Sequence, residues 1–183
     1  MNASTFSLCV YCGARPGGNA AFLEAARTLG DAISEKGWRL VYGAGDVGIM
    51  GAVAEAASAG GAPTLGVIPT HLMQAEAPRG AFKDRIITET MHERKKVMVM
   101  NADAVAVLPG GAGSLDEFFE VLTWAQLGLH SKPIYLVDIE GYWQPLLALI
   151  DHVIENGFAD ESLRDLFQVV PTVEALVSDL SRS

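Results

Sequence analysis

A parallel sheet with helices on both faces, an α/β fold of the Rossmann-like type, is predicted by three features of this 183-residue chain. Short β-rich apolar runs alternate with longer helical patterns from one end to the other, as strand–helix units do. The runs are apolar on consecutive positions, the mark of strands covered on both faces, where half-exposed antiparallel strands would alternate. Helical patterns also close on glycine, as at Gly37 and Gly157.

In chain order the strands are expected over 6–11, where Phe6 to Tyr11 is an apolar run, then 39–42, 64–68, 85–88, 104–108, 134–137 and 168–170. Helices are expected over 20–36, 48–59, 91–101, 114–127, 142–156 and 173–181, the first and fifth stopped by Gly37 and Gly157. No repeat or low-complexity tract interrupts this order. The long irregular stretch 69–83 carries two prolines and a glycine after a strand end, which suits a lid or binding loop. With half its residues apolar, the chain is long enough for one substantial core and short for two, so one domain over 1–183 is expected.

Thirteen Lys and Arg against twenty-two Asp and Glu give a net charge of −9, which repels polyanions and argues against nucleic acid and anionic membrane as partners. A phosphorylated small molecule remains compatible, since backbone N–H groups and one or two cations can bind phosphate inside an acidic protein. Cys9 and Cys12 have Cys-x-x-Cys spacing, yet they lie in an apolar strand and no second pair completes a zinc site, so they read as buried core residues. His71, His92, His130 and His152 share no metal spacing and suit surface or capping roles. No basic leader followed by a long apolar stretch opens the sequence, and no window of about 18 apolar residues occurs, so a soluble, cytoplasmic protein is expected.

Ligands of open parallel sheets bind beyond the carboxyl ends of the strands, which directs attention to the loops after Tyr42, Ile68 and Leu108. The first contains Gly43-x-Gly45-x-x-Gly48, a formal dinucleotide fingerprint. It follows the second strand rather than the first, and no acidic residue ends the next strand, so a tight turn toward a mononucleotide or a neighbouring helix is the better reading.

The third loop is richer. Pro109 stops the strand, Gly110, Gly111 and Gly113 permit close backbone approach, and Ser114 is expected to open a helix whose free N–H groups favour phosphate. No Walker lysine follows, so triphosphate hydrolysis has no support. Ser114-Leu115-Asp116-Glu117 is also a complete capping box, which by itself explains Glu117. Three glycines ahead of a mere cap are superfluous, however. Glu120 lies one turn further on the same face, where two carboxylates would suit glycosidic chemistry, or simply face solvent. Arg94 and Lys95, at the start of another helix, would hold a phosphate or polarise a leaving group, or else form an exposed basic face.

Together these segments resemble the lonely-guy (LOG) family of cytokinin riboside 5′-monophosphate phosphoribohydrolases, long labelled lysine decarboxylases. The likeness spans Cys9 to Gly13, Val41 to Gly51, Gly66 to Pro69, Met91 with Arg94-Lys95, Pro109 to Glu117 and Leu122 to Gly128. It implies hydrolysis of the N-glycosidic bond of a purine nucleoside 5′-monophosphate without metal or organic cofactor, by a homodimer. It further implies Arg94 and Glu117 as the catalytic pair and the loop from Gly110 through Gly111, Ala112 and Gly113 to Ser114, with Leu115 and Asp116 behind it, on the 5′-phosphate. Glu76, Lys95 and Thr123 fall at family positions that contact the nucleotide, with Gly43, Gly45 and Glu120 as additional site residues. Ser114 stands where the family usually has Thr, Ala44 where glycine is common, and Asp46 where a neutral residue is usual. The apolar run 97–100 suits a dimer interface or a core helix equally. No lysine sits in a context resembling a Schiff-base site, which leaves two rival readings: an AMP nucleosidase without cytokinin preference, and a nucleotide or cofactor carrier that turns nothing over.

Overall fold

The computed structural model describes residues 5–73 and 84–182. Seven strands, β1 (Ser7–Tyr11), β2 (Arg39–Tyr42), β3 (Thr64–Pro69), β4 (Asp84–Thr88), β5 (Ala104–Val107), β6 (Ile134–Val137) and β7 (Gln168–Val170), form one sheet in the order β4-β3-β2-β1-β5-β6-β7. Every pairing is parallel. Among the described residues six α-helices intervene: α1 (Ala20–Glu35), α2 (Gly48–Ala59), α3 (Met91–Met100), α4 (Ala112–Gln126), α5 (Gln144–Glu155) and α6 (Val173–Leu180). The α/β, Rossmann-like expectation holds.

The period of two along β1 splits the core. Leu8 and Val10 face one side, packing with Leu29 and Ile33 of α1, Ile49 of α2 and Leu176 of α6, while Cys9 and Tyr11 face the other, with Met98 of α3, Phe118 of α4 and Ile150 of α5. Both cysteines are buried, and burial pushes both thiols well above the ordinary range.

Several local expectations need correction. Helix α4 begins at Ala112, not Ser114. Its N-cap is the extended Gly111, which puts Ser114 in the third helical position and Glu117 in the sixth, where it cannot reach back to a cap. The capping box lies instead at α3: Thr90 accepts from the Glu93 N–H at 3.2 Å and Glu93 returns the bond to the Thr90 N–H, also at 3.2 Å. The strands are not all covered on both faces, because β4 and β7 are the sheet edges and expose Ile87 and Val169. In the stretch 69–83, residues Thr70–Leu72 form a short 3₁₀ turn, and 74–83, with Glu76, lie outside the described residues.

The topology also locates a crevice. The chain builds outward from β1 to β4, then returns to the other side of β1 as β5, so the loops leaving β1 and β5 depart to opposite faces. Bonds from the Gly13 N–H to the Pro109 carbonyl, 3.1 Å, and from the Leu108 N–H to the Tyr11 carbonyl, 2.9 Å, join the two loop roots.

Candidate active site

A cavity of about 480 Å³ opens at this switch point, a size suited to a small-molecule ligand. One wall is the turn from β5 into α4: Gly110, Gly111, Gly113 and Ser114 line it, backed by the first turn of α4, whose N–H groups have no intrahelical acceptors. A Cβ on Gly111 or Gly113 would meet no neighbouring protein atom within 4 Å, so the space beside them is open. Gly110 differs: a Cβ there would lie 2.0 Å from the Ser114 hydroxyl oxygen, so this glycine lets the turn close on the buried Ser114 side chain.

Glu117 lines the cavity yet is 9% exposed. Burial pushes its carboxyl up to about 7, reinforced by Asp116 and Glu120 and opposed by the charges of Arg94 and Lys95. The acid therefore changes protonation near neutral pH, the range in which a general acid or base works best. Arg94 forms another part of the wall. Its Nε donates to the Val67 carbonyl at 3.1 Å and its Nη2 to the Gly43 carbonyl at 2.7 Å, with Nη1 3.8 Å from the Met91 sulfur. The guanidinium is thus fixed by β3 and the loop after β2, facing the cavity from α3.

That arrangement gives the Gly-x-Gly-x-x-Gly stretch its meaning. A Cβ on Gly43 would sit 1.9 Å from Arg94 Nη2, so the glycine makes room for the guanidinium. The Gly45 N–H donates to the Met50 sulfur at 3.2 Å. Neither Gly43 nor Gly45 lines the cavity, and the stretch shapes the wall from behind.

Arg94 and Lys95 do not form the exposed basic face considered from sequence; both are buried. Lys95 Nζ lies 2.8 Å from Asp116 Oδ2 and 2.8 Å from Glu120 Oε2, tying α3 to α4. Glu120 is consequently a half-buried partner of Lys95 that acts on Glu117 through its charge and not from the cavity: it is absent from the lining, and its other oxygen, Oε1, is buried without a partner among the described residues. Asp116 does line the cavity, Leu115 packs into the core on the α4 side, and Ala112 and Thr123 are exposed away from the lining.

Sequence reasoning passed over the loop after β1. Gly13 and Arg15 line the cavity, as do Phe22 and Tyr142, whose rings meet edge to face at 5.3 Å. Tyr142 donates its hydroxyl to the Gly110 carbonyl at 2.6 Å, bracing the glycine turn. The available signal was the glycine-bearing segment Gly13 to Gly18 immediately after the first strand.

Fold and site together define a Rossmann-like α/β protein with a glycine-walled cavity and a buried carboxylate at its switch point. A family model described as "Possible lysine decarboxylase" matches residues 50–180. The chain is 43% identical to the cytokinin riboside 5′-monophosphate phosphoribohydrolase LOG of Oryza sativa subsp. japonica, over 94% of this chain and 72% of that one. It is 39% identical to the corresponding LOG3 protein of Arabidopsis thaliana, over 98% of this chain and 84% of the other. The chain belongs to the LOG family.

Among solved structures, the molybdenum cofactor binding protein of Rippkaea orientalis superposes with a TM-score of 0.73 at 20% identity, covering 98% of each chain. The molybdenum cofactor carrier protein of Chlamydomonas reinhardtii gives 0.73 at 21%, over 97% of each. At such identity these likenesses establish the shared fold alone.

Proposed function

We propose that this chain hydrolyses the N-glycosidic bond of an N6-substituted adenine riboside 5′-monophosphate, a cytokinin-type nucleotide, to the free base and ribose 5-phosphate. The observation that carries the reading is the buried Glu117 carboxyl beside a glycine-walled helix start in one cavity. The phosphoribohydrolase activity for which the two plant relatives are named agrees with it and does not favour a carrier.

In this reading the 5′-phosphate sits against Gly110–Ser114, where free N–H groups and the helix dipole meet the anion and fix the ribose. Breaking the bond from C1′ to the base leaves positive charge on the sugar, which the Glu117 carboxylate stabilises at close range. The same group takes a proton from the water whose oxygen adds to C1′, and the departing base nitrogen gains a proton. Arg94, held by two backbone carbonyls, steadies the phosphate or the leaving base and keeps Glu117 from rising further. Lys95 acts by holding Asp116 and Glu120, and Glu76 is kept as a nucleotide contact on the family resemblance, whereas Thr123, exposed away from the cavity, is not. The protein is a one-domain cytoplasmic homodimer. Of the run 97–100, Met98 and Val99 belong to the core, leaving Met100, which is 68% exposed, for the interface.

The test incubates the purified chain with N6-isopentenyl-AMP and with AMP and measures free base and ribose 5-phosphate. Release from the N6-substituted nucleotide in preference to AMP supports the reading. Equal rates indicate a general AMP nucleosidase, and tight binding without release indicates a carrier.

A further inference from the structure

The cradle described above needs positive charge as well as N–H groups. Two acidic side chains, Asp116 and Glu117, stand in the cavity wall of a protein with a net charge of −9, and a nucleotide phosphate brings nearly two more negative charges at neutral pH. Among the described residues lining the cavity, the cations are Arg15 and Arg94. Arg94 is buried and committed to two carbonyls, and Lys95, outside the lining, is saturated by two carboxylates. Arg15 is exposed, and its guanidinium has no hydrogen-bond or ion-pair partner among the described residues.

Its main chain, by contrast, packs closely between the glycine turns. A Cβ on Gly13 would lie 3.2 Å from the Arg15 carbonyl oxygen and 3.3 Å from Gly110 Cα, so the root of Arg15 and the glycine turn flank the same point. From beneath, Gly48 adopts φ +63, and a Cβ on it would come within 2.6 Å of the Arg15 nitrogen. A closely packed backbone carrying a free planar fork next to the helix start is an arrangement suited to bidentate phosphate binding. We propose that Arg15 is the phosphate-binding cation of this site, closing on the 5′-phosphate from the side opposite α4. This rests on the proposed nucleotide reading, which it deepens by assigning a binding residue.

The test combines calorimetry with kinetics on wild type, Arg15→Met and Arg15→Lys, with melting temperatures to confirm folding at this exposed position. Arg15→Met should raise KM for N6-isopentenyl-AMP and Kd for ribose 5-phosphate about ten- to hundredfold, with kcat changed less than about threefold. Arg15→Lys, which keeps charge but loses the fork, should fall between. Adding salt should weaken ribose 5-phosphate binding to wild type more than to Arg15→Met. Affinity of Arg15→Met for ribose 5-phosphate within twofold of wild type would overturn the assignment. So would an equal loss for unphosphorylated N6-isopentenyladenosine, or wild type that binds no ribose 5-phosphate. If no nucleotide is cleaved but ribose 5-phosphate binding still depends on Arg15, the hydrolase reading fails and the Arg15 assignment stands.

Discussion

Replacing Glu117 by glutamine separates what this residue does for turnover from what it does to the fold. The side chain is 9% exposed and its carboxyl is raised from an ordinary 4.5 to about 7, with burial the leading cause. At about 1.4 kcal/mol per pH unit, that rise corresponds to roughly 3 kcal/mol of disfavoured charge in the folded protein. The folded chain keeps this proton until about pH 7, whereas the unfolded chain releases it near 4.5. The contribution of Glu117 to stability is therefore highest below 4.5, declines between the two values, and is lower by roughly 3 kcal/mol above the folded value. Glutamine resembles the protonated acid and removes this dependence. Glu117→Gln should then abolish base release yet melt about 6–12 °C higher than wild type at pH 8, using about 2–4 °C per kcal/mol for a chain of this size. The difference should shrink to nothing toward pH 4.5. Paired circular-dichroism melts between pH 4.5 and 8.5 measure it. A melting difference that is the same at every pH, or a variant less stable at pH 8, would refute the reasoning.

Other substitutions test the surrounding geometry. Gly113→Ala adds a methyl where no protein atom stands within 4 Å, so melting should change by less than about 3 °C while KM for the nucleotide rises at least tenfold. Gly43→Ala drives a methyl to 1.9 Å from Arg94 Nη2 and should lower kcat about a hundredfold and stability by about 1–3 kcal/mol, read by steady-state kinetics and urea unfolding. Asp116→Asn removes a charge that raises Glu117, and Lys95→Met one that lowers it. The acid limb of kcat/KM should accordingly move to lower pH in the first variant and to higher pH in the second. Tyr142→Phe deletes the 2.6 Å bond to the Gly110 carbonyl and should raise KM about three- to tenfold with little change in melting.

Much of this was legible in the residues. Consecutive apolar positions such as Val105-Ala106-Val107 announce a covered strand, and Pro109 with its glycines marks where the chain meets a ligand. What failed did so for physical reasons. The Ser114-x-x-Glu117 spacing carries no helix phase, and the extended backbone of Gly111 started the helix two residues early, placing Glu117 beside the cavity. Lys95 looked exposed because lysine usually is, and its burial depends on Asp116 and Glu120, which lie on another helix. Arg15 escaped notice because the adjacency of β1 and β5, 96 residues apart at Leu8 and Ala104, is a property of strand order that no local pattern encodes.

That adjacency shapes how the protein comes into being. The bond from Gly13 to Pro109 joins two loops 96 residues apart in the chain, the later of which is synthesised well after the first. A growing chain can pair β1 with β2 and β2 with β3 from near neighbours, but its first glycine loop waits for a distant partner, a contact with a high loop-closure cost. Nucleotide binding then rewards only the finished sheet, stabilising it by mass action while offering nothing to shorter intermediates. Substrate in the cell would act as a proofreader of completed folding as well as fuel for turnover.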